Sequence, residues 1–576
     1  MEREVVLETP ANSSTHANHV VSGVTVSLPV DEVKQDSTTQ ANSSHNTCLA
    51  PTPIKFERLN ILLSKYPYHV ARNTLIDGFR SGFRVKYTGP RSPRDAHNLK
   101  SVIQNKNIAR LKIEKEIELG RVAGPFLKRP FINLIVSPLG LVPKKSAGEF
   151  RLIHHLSYPA GSSINDFIGE SDSTVQYAKF DVAVNIMRDL GQGALMGKLD
   201  IKSAFRLLPM HPDDHDLLGF KFDGKYYYDK CLPMGLSRSC QLFELFSSFL
   251  EWLLRQSITP CHVIHFLDDF LLLGSPGTEQ CLHAMNCFKS MCEDIGIPLA
   301  IEKTEGPVTR LIFLGLELDS DLQVVRVPQD KVLTLRTLIS NMLVKNKVTL
   351  KQIQQLIGSM QFACRALVPG RAFMRRLIDL TCGVRKQHHF KRLTTGAKSD
   401  LNMWIEFLNS YNGVSALLDR EWSFNSDIHL YTDASGSLGF AAYFNGKWAQ
   451  GSWESHFLRE REGKNIAFLE LFPICVALSI WGDELNSKKI IMHCDNQGVV
   501  HVINKQTAKC PRIMALLRFL VLKCLRCNIL LRAEHIPGKL NDISDAISRF
   551  QMQRFRKLAP QADKDKTPFP EHLWKL

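Results

Sequence analysis

The stretch "HVIHFLDDFLLLG", residues 262–274, sets two adjacent aspartates, Asp268 and Asp269, inside a run that is otherwise strongly apolar. Burying an uncompensated carboxylate is expensive, so a chain that places two of them between Phe266-Leu267 and Phe270-Leu271 must supply cations or hydrogen bonds there. A divalent metal ion is one answer. The other is a tight hairpin whose tip sits in water, because Asp is common at turns. The stretch alone leaves both readings open.

Working outward, a third carboxylate comes from "ALMGKLDIKSAFRLLPMHPDD" (194–214), where Asp200 ends a short apolar strand and is followed by Lys202, Ser203 and Phe205. Two strands that each end in Asp can face one another. Downstream, "CLPMGLSRSCQLFELFSSFLEWLL" (231–254) is a loop carrying Met234 and Gly235 that runs into an apolar helix, and "IFLGLELDS" (312–320) is a strand with Gly at its turn. Upstream, "SPLGLVPKKSAGEFRLIHHLS" (137–157) predicts a hairpin with Lys144, Lys145 and Arg151 at its tip. A second set of acids lies further on. "LYTDASGSLGF" puts Asp433 on a strand, "AFLELFPICVAL" puts Glu470 on a helix, and "IIMHCDNQGVVHVINK" puts Asp495 at a strand end. "RAEHIPGKLNDISDAISRF" then adds His535, Asn541, Asp542 and Asp545. Taken singly, each of these acids reads equally well as a turn residue or a solvated helix residue.

Composition narrows the field. At 576 residues the chain exceeds one ordinary core and predicts three or four units, which a hydrophobic content of 44% can fill. Lys plus Arg number 72 against 57 Asp plus Glu, a net charge of +15 that points to a polyanionic partner, with nucleic acid first, although a generic basic surface would look the same. The start, "MEREVVLETPANSSTHANHV", carries charges where a signal peptide needs an apolar core, and the uncharged runs 9–30 and 37–54 are rich in Ser, Thr and Asn rather than apolar. The expectation is an intracellular chain with no membrane partner. The 14 cysteines are scattered; the close pair Cys524 and Cys527 lacks a second pair at zinc-site distance and reads as reduced thiols on a helix. The Asn-Ser-Ser sequons at Asn12 and Asn42 carry no weight without secretion.

Six segments follow. Residues 1–50 lack aromatics and periodicity and are expected to be disordered. Residues 51–119 form an N-terminal extension, with "IARLKIEKEIELGRVAGPF" (108–126) reading as an amphipathic helix closed by a Gly-Pro break. Residues 120–322 hold the first acidic set, 323–424 are helical and basic with few strand signals, 425–550 are a separate α/β domain, and 551–576 a tail.

The first motif set, in this order, resembles the reverse transcriptases of retroviruses and retrotransposons over about residues 120–320. "FLDDF" is similar to that family's aspartate-pair hairpin, with Phe266 where Tyr is more usual, and Asp200 matches its first metal-binding aspartate. The resemblance implies that Lys144 and Arg151 contact the triphosphate, that Phe205 rejects a ribose 2′-hydroxyl, that "FLGL" (313–316) is a primer grip and that Lys303 is a mobile lysine of the nucleotide site. Met234, followed by Gly235, stands where many relatives have Gln, which leaves nucleotide selection and fidelity open. The second set resembles the RNase H domain that follows such polymerases: Asp433, Glu470, Asp495 and Asp545 match its metal-binding acids, and His535 its mobile histidine. Asp542 is the rival for the fourth position; the resemblance favours Asp545, because His535 lies ten residues and Asn541 four before it.

The implied fold is an α+β right-hand polymerase of fingers, palm and helical thumb, followed by an α/β RNase H-like domain with a mixed sheet. The implied activity is RNA- and DNA-directed DNA synthesis by two-metal phosphoryl transfer, with two Mg²⁺ ions per site about 3.5–4 Å apart, Mn²⁺ being the alternative, and RNase H cleavage of hybrids. RNA template, DNA primer, RNA/DNA hybrid and deoxynucleoside triphosphates are the implied partners. Wording between the motifs, such as "RLIHHLSYPAGSSIND" and "CDNQGVVHVINKQT", is most similar to the DIRS and Ngaro retrotransposons, which integrate with a tyrosine recombinase. Neither a recombinase nor an Asp-Thr/Ser-Gly protease motif is expected on this chain; a recombinase would be encoded separately. The rival readings are a domesticated or decayed copy that only binds nucleic acid, and one that keeps RNase H activity alone.

Overall fold

The computed structural model describes residues 49–144, 148–258, 261–384, 386–412, 430–454, 465–486 and 488–575, with the backbone of 423–424. The segment expected to be disordered, up to residue 48, and Lys145 lie outside the described residues.

The "FLLLG" run is a central strand of an antiparallel sheet ordered His262–Phe266, Asp269–Gly274, Leu195–Asp200, Glu305–Val308. Its unbroken apolar character follows from burial on both faces. Side chains alternate between two cores: Ile264, Leu271, Leu273 and Met196 meet one cluster, and Val263, Phe270, Leu272 and Leu199 the other. Helices Ser239–Arg255 and Gln280–Ile295 cover the second face. The latter comes so close that a Cβ at Gly197 would lie 2.3 Å from the Met285 sulfur, which is why glycine stands there.

Helices Phe56–Leu63 and His69–Ser81 join this second core through Leu59, Leu63, Leu75 and Phe79. Part of the N-terminal extension, 51–119, which was also expected to hold the start of the fingers, is thus a buttress of the central sheet. The helix predicted over 108–126 runs from Lys106 to Glu118 only. "VAGPF" is instead strand Val122–Phe126, paired with Lys225–Asp229, because its apolar positions complete a sheet with a ready partner. Strands Leu139–Pro143 and Phe150–His154 form the expected hairpin, in register from Leu139↔His154 to Pro143↔Phe150.

Beyond residue 322 come helices Gln329–Leu343, Leu350–Ala363 (entered through a Thr349/Gln352 capping box), Arg375–Thr381 and Thr395–Glu406. A two-stranded antiparallel sheet, Lys347–Thr349 with Phe390–Arg392, brackets the middle of this helical region. The C-terminal part has an antiparallel sheet (Leu430–Ala434, Gly439–Phe444, Lys447–Ser452) and a parallel one (Ser423–Phe424, Lys489–Cys494, Leu530–His535), so the expected mixed sheet is divided in two. Helix Ile466–Trp481 is apolar around its whole circumference because it lies between the antiparallel sheet and helix Pro511–Arg526. Glu470 is its one charged residue.

Residues 551–575 are more than a tail. Phe555 and Ala559 are fully buried, the Trp448 indole donates to Asp563 O at 2.9 Å, and Phe569 and Trp574 pack on Phe440. An aromatic-rich end whose rings find a hydrophobic surface folds onto it. Cys524 and Cys527 are free thiols at the end of helix Pro511–Arg526. No described helix is long and apolar enough to cross a membrane.

Candidate active sites

The aspartate pair does sit at a tight hairpin, as one reading required. The turn passes through Leu267 at φ +53°, and Phe266 pairs with Asp269 across it. The tip is partly buried, however, and a second strand end meets it. Asp200 lies opposite Asp269 in the sheet register, and the Ile201 amide donates to Asp268 O at 3.0 Å. The three carboxylates therefore share one sheet end. Asp268 is raised by burial and by Asp200; Asp269 is pushed up to about 6 by burial and by the charges of Asp268 and Asp200. Lys303 compensates in part, its ammonium lying 2.8 and 2.9 Å from the two Asp200 oxygens.

A cleft of about 1510 Å³ opens above this end. Asp200, Asp268 and Lys303, Lys144 and Arg151 of the hairpin, and Phe205, Met234 and Gly235 all line it. Asp269 lines a smaller neighbouring cavity with Lys198 and Glu305, and Asp200 and Lys303 border both spaces. Lys144 holds Glu149 at 3.0 Å across the hairpin turn. The Phe205 ring is backed edge-on by Phe243, 5.6 Å away. Gly235 has φ +123°, and a Cβ there would fall 1.9 Å from His154 O, so only glycine lets this loop lie against the strand that carries Arg151.

Sequence reasoning missed the ionic floor of the cleft. Arg206, next to Phe205, reaches Asp229 at 2.8 Å and Glu116 at 3.0 Å, and His154 Nδ1 lies 2.9 Å from Asp229. The signal was present as an arginine inside the apolar stretch "AFRLLPM"; buried, it demands acids, and these come from distant segments.

The second constellation forms where the two C-terminal sheets meet. Ligand atoms of Glu470, Cys494 and Asp495 lie within 4.8 Å of one another. Asp433 adjoins them: burial, Asp495 and Asp545 raise it to about 6 although the Ser548 hydroxyl donates to it at 2.5 Å. Glu470 is pushed up to about 9, first by burial and then by Asp433 and Asp495. Asp545 goes the other way. Burial would raise it, but Arg549 at 2.5 Å and Arg554 at 2.7 Å outweigh that and hold it below the usual range. Asp542 is the first residue of helix Asp542–Ser548 and pairs with Arg554 at 2.7 Å, a good place for a carboxylate near the positive end of a helix. His535 is exposed at the end of its strand, with Nε2 3.2 Å from Asp495 O.

Asn541, Asp545 and Ser548 recur at helical spacing and all turn toward Asp433; the Asn541 amide donates to Thr432 O at 2.8 Å and lies 3.5 Å from Asp433 Oδ1. Only Ser548 was missed in the sequence, where "NDISDAIS" shows the repeat. Burial first and neighbouring carboxylates second raise Asp268, Asp269, Asp433 and Glu470, a cost that a divalent cation relieves; the carboxylate oxygens of both constellations suit Mg²⁺, although the Cys494 thiol beside Glu470 and Asp495 is a softer donor.

A family model described as reverse transcriptase (RNA-dependent DNA polymerase) matches residues 142–318. Protein P of duck hepatitis B virus (strain China) is 28% identical over 165 residues, 28% of this chain and 20% of that protein. The Gag-Pro-Pol polyprotein of Mason-Pfizer monkey virus is 24% identical over 220 residues, 36% of this chain and 12% of that one. The chain thus spans a fifth or less of the length of these curated relatives. Among solved structures, the foamy viral protease-reverse transcriptase with double-stranded DNA aligns over 86% of this chain and 84% of its own, at 15% identity and a TM-score of 0.48. The same enzyme with an RNA/DNA hybrid aligns over 86% of this chain and 64% of its own, at 16% identity and a TM-score of 0.46. The segment that matches the reverse transcriptase family model, 142–318, contains the Asp200 strand end, the Met234–Gly235 loop, the aspartate hairpin and Lys303.

Proposed function

We propose that the chain synthesises DNA on RNA and DNA templates and cleaves the RNA of RNA/DNA hybrids in its C-terminal domain, which we read as RNase H-like. One observation carries the polymerase reading: Asp200, Asp268, Lys144, Arg151, Phe205 and Met234-Gly235, from four separate stretches of sequence, border a single cleft inside the reverse transcriptase domain.

Two Mg²⁺ ions, when bound, would activate the attacking oxygen and stabilise the leaving group. Asp200 and Asp268 hold them, with Asp269 steadying the pair from the adjacent cavity. Lys144 and Arg151 neutralise triphosphate oxygens, Arg through its planar fork. Phe205, stiffened by Phe243, occupies the space of a 2′-hydroxyl. Met234 and Gly235 shape the base and sugar side of the pocket. Lys303, which balances Asp200, would serve as the mobile lysine of the nucleotide site. In the second site Asp433, Glu470, Asp495 and Asp545 hold the ions, and His535 assists proton transfer or product release.

Similar wording between the motifs supports placing the source among DIRS- and Ngaro-type retroelements. The rivals are a copy retaining nucleic-acid binding only, or RNase H activity only. Primer extension on an RNA template with deoxynucleoside triphosphates, run beside hybrid cleavage in Mg²⁺, separates the three: both activities are expected. Cleavage without extension, or neither, would overturn the polymerase reading.

A further inference from the structure

Beneath the aspartate hairpin lies a buried charged seam that the proposed chemistry does not use. His265, three residues before Asp268, is 7% exposed, and both of its ring nitrogens face carboxylates. Nε2 lies 3.1 Å from Glu244, and Nδ1 is in short contact with Glu251. A neutral imidazole has only one N–H to donate, so two acidic acceptors select the doubly protonated cation. Burial alone would lower this histidine, but the two carboxylates push it up to about 9.

Both acids belong to helix Ser239–Arg255, and they have company on the same face. Glu244, Ser247, Glu251 and Arg255 follow at intervals of three and four residues, one stripe of the helix. Ser247 Oγ donates to Leu267 O at 2.8 Å, at the strained turn itself, and Arg255 Nη2 donates to Val263 O at 2.9 Å. Arg255 also holds Glu251 at 2.7 Å. The strand leading to Asp268 is therefore gripped at 263, 265 and 267 from one helical face. Other titratable groups bordering the seam are Tyr66 beside Glu251, and Tyr177 and Cys240 beside Glu244. The Phe270 ring stacks on the imidazole from the partner strand, 5.6 Å between centroids.

The helix itself grows out of the loop that carries Met234 and Gly235, and Ser239 Oγ donates back to Pro233 O at 2.7 Å. We infer that the Glu244–His265–Glu251 seam, with Ser247, is a positioning device that fixes the aspartate hairpin to the helix bearing the Met234–Gly235 loop, and so sets the distance between the metal-holding carboxylates and the incoming nucleotide. This rests on the polymerase reading. A plain hydrophobic contact would hold the hairpin less specifically, because apolar surfaces slide where a cation between two acids does not.

The experiment uses the full chain and measures extension against Mg²⁺ and nucleotide concentration, with hybrid cleavage in the same preparation. His265→Gln should lower kcat for extension by about tenfold or more and raise the half-saturating Mg²⁺ concentration several-fold, since ångström-scale misplacement is enough to cost about a hundredfold. KM for the nucleotide and hybrid cleavage should stay within about twofold, because this seam touches neither the substrate nor the second site. Adding Glu251→Gln to His265→Gln should cost little more, because the two act as one unit. Extension and Mg²⁺ requirement like those of the wild type overturn the inference. If His265→Gln loses both activities, Ser247→Ala, which removes one hydroxyl and no charge, decides: a raised Mg²⁺ requirement supports the seam and an unchanged one overturns it. A wild-type chain that extends no primer overturns the functional reading and this inference together.

Discussion

Asp200 in the first site has an ammonium on both of its oxygens, whereas Glu470 in the second faces two more carboxylates and the backbone amide of Ala434. The difference is one of supply, since Asp200 and Glu470 are equally buried. The first cluster sits at a sheet end beside a wide cleft, where Lys303, Lys198 and Arg151 soften the repulsion among three acids. The second is set on a helix buried all round, and Arg549, the cation that acts on Glu470, is itself engaged by Asp545, as is Arg554. A carboxylate group with built-in cations tolerates loss of metal; one without them either binds a cation or takes up protons. The first site is therefore expected to keep its shape in the absence of metal, and the second to depend on it.

The sharpest way to break this pairing of two separate sites is to disable one. Asp268→Asn should reduce primer extension by about a thousandfold or more, the scale of losing a main electrostatic element of a transition state, with hybrid cleavage nearly intact. Unchanged extension would sink the polymerase assignment. In the second site, Asp545→Asn should lose about a hundredfold of hybrid cleavage in Mg²⁺ while Asp542→Asn stays within about threefold, because Asp542 serves the helix end. The reverse order would show that Asp542 is the fourth acid.

A smaller effect tests selectivity at the first site. Phe205→Val should raise ribonucleotide relative to deoxyribonucleotide incorporation by about tenfold, which corresponds to ~1.4 kcal/mol. A ratio within about threefold of the wild type rejects the steric role.

The smallest effect bears on the contrast in charge. Because the Glu470 carboxyl titrates near 9 in the folded, metal-free chain and near 4.5 when exposed, the folded state binds the extra proton between those values. Stability from this group is full below about pH 4.5 and is lost as pH rises toward 9. Glu470→Gln should therefore raise the metal-free melting temperature at pH 8 by a few degrees, and by less at pH 5, while abolishing cleavage. Equal shifts at both pH values would remove the account in which burial, with Asp433 and Asp495, raises the Glu470 carboxyl.

Much of this was legible in the chain because the chemistry is carried by local patterns. Acids at the ends of apolar runs, such as Asp200, Asp268 and Asp495, mark strand ends, since a strand buried on both faces must place its charges where it stops. Helix position did not separate Asp542 from Asp545, which both fall in the first turn of a helix that begins at Asp542; the intervals to His535 and Asn541, read through the resemblance, favoured Asp545. The boundaries were less legible. "VAGPF" and residues 551–575 read as a helix end and a tail, yet each completes a surface made by distant residues, the strand Lys225–Asp229 and the rings of Phe440 and Trp448.

What the sequence by itself determined is which residues carry charge in apolar settings, and hence where the chemistry must lie. Only the tertiary structure decided which partners balance them: Lys303 on Asp200, Asp229 and Glu116 on Arg206, Glu244 and Glu251 on His265. The physical reason is that the demand for compensation is local to the buried group, while the compensating charge has only to be near in space. Arg206 and Glu116 stand 90 residues apart, and Lys303 and Asp200 stand 103 apart, separations that no periodicity in the chain records.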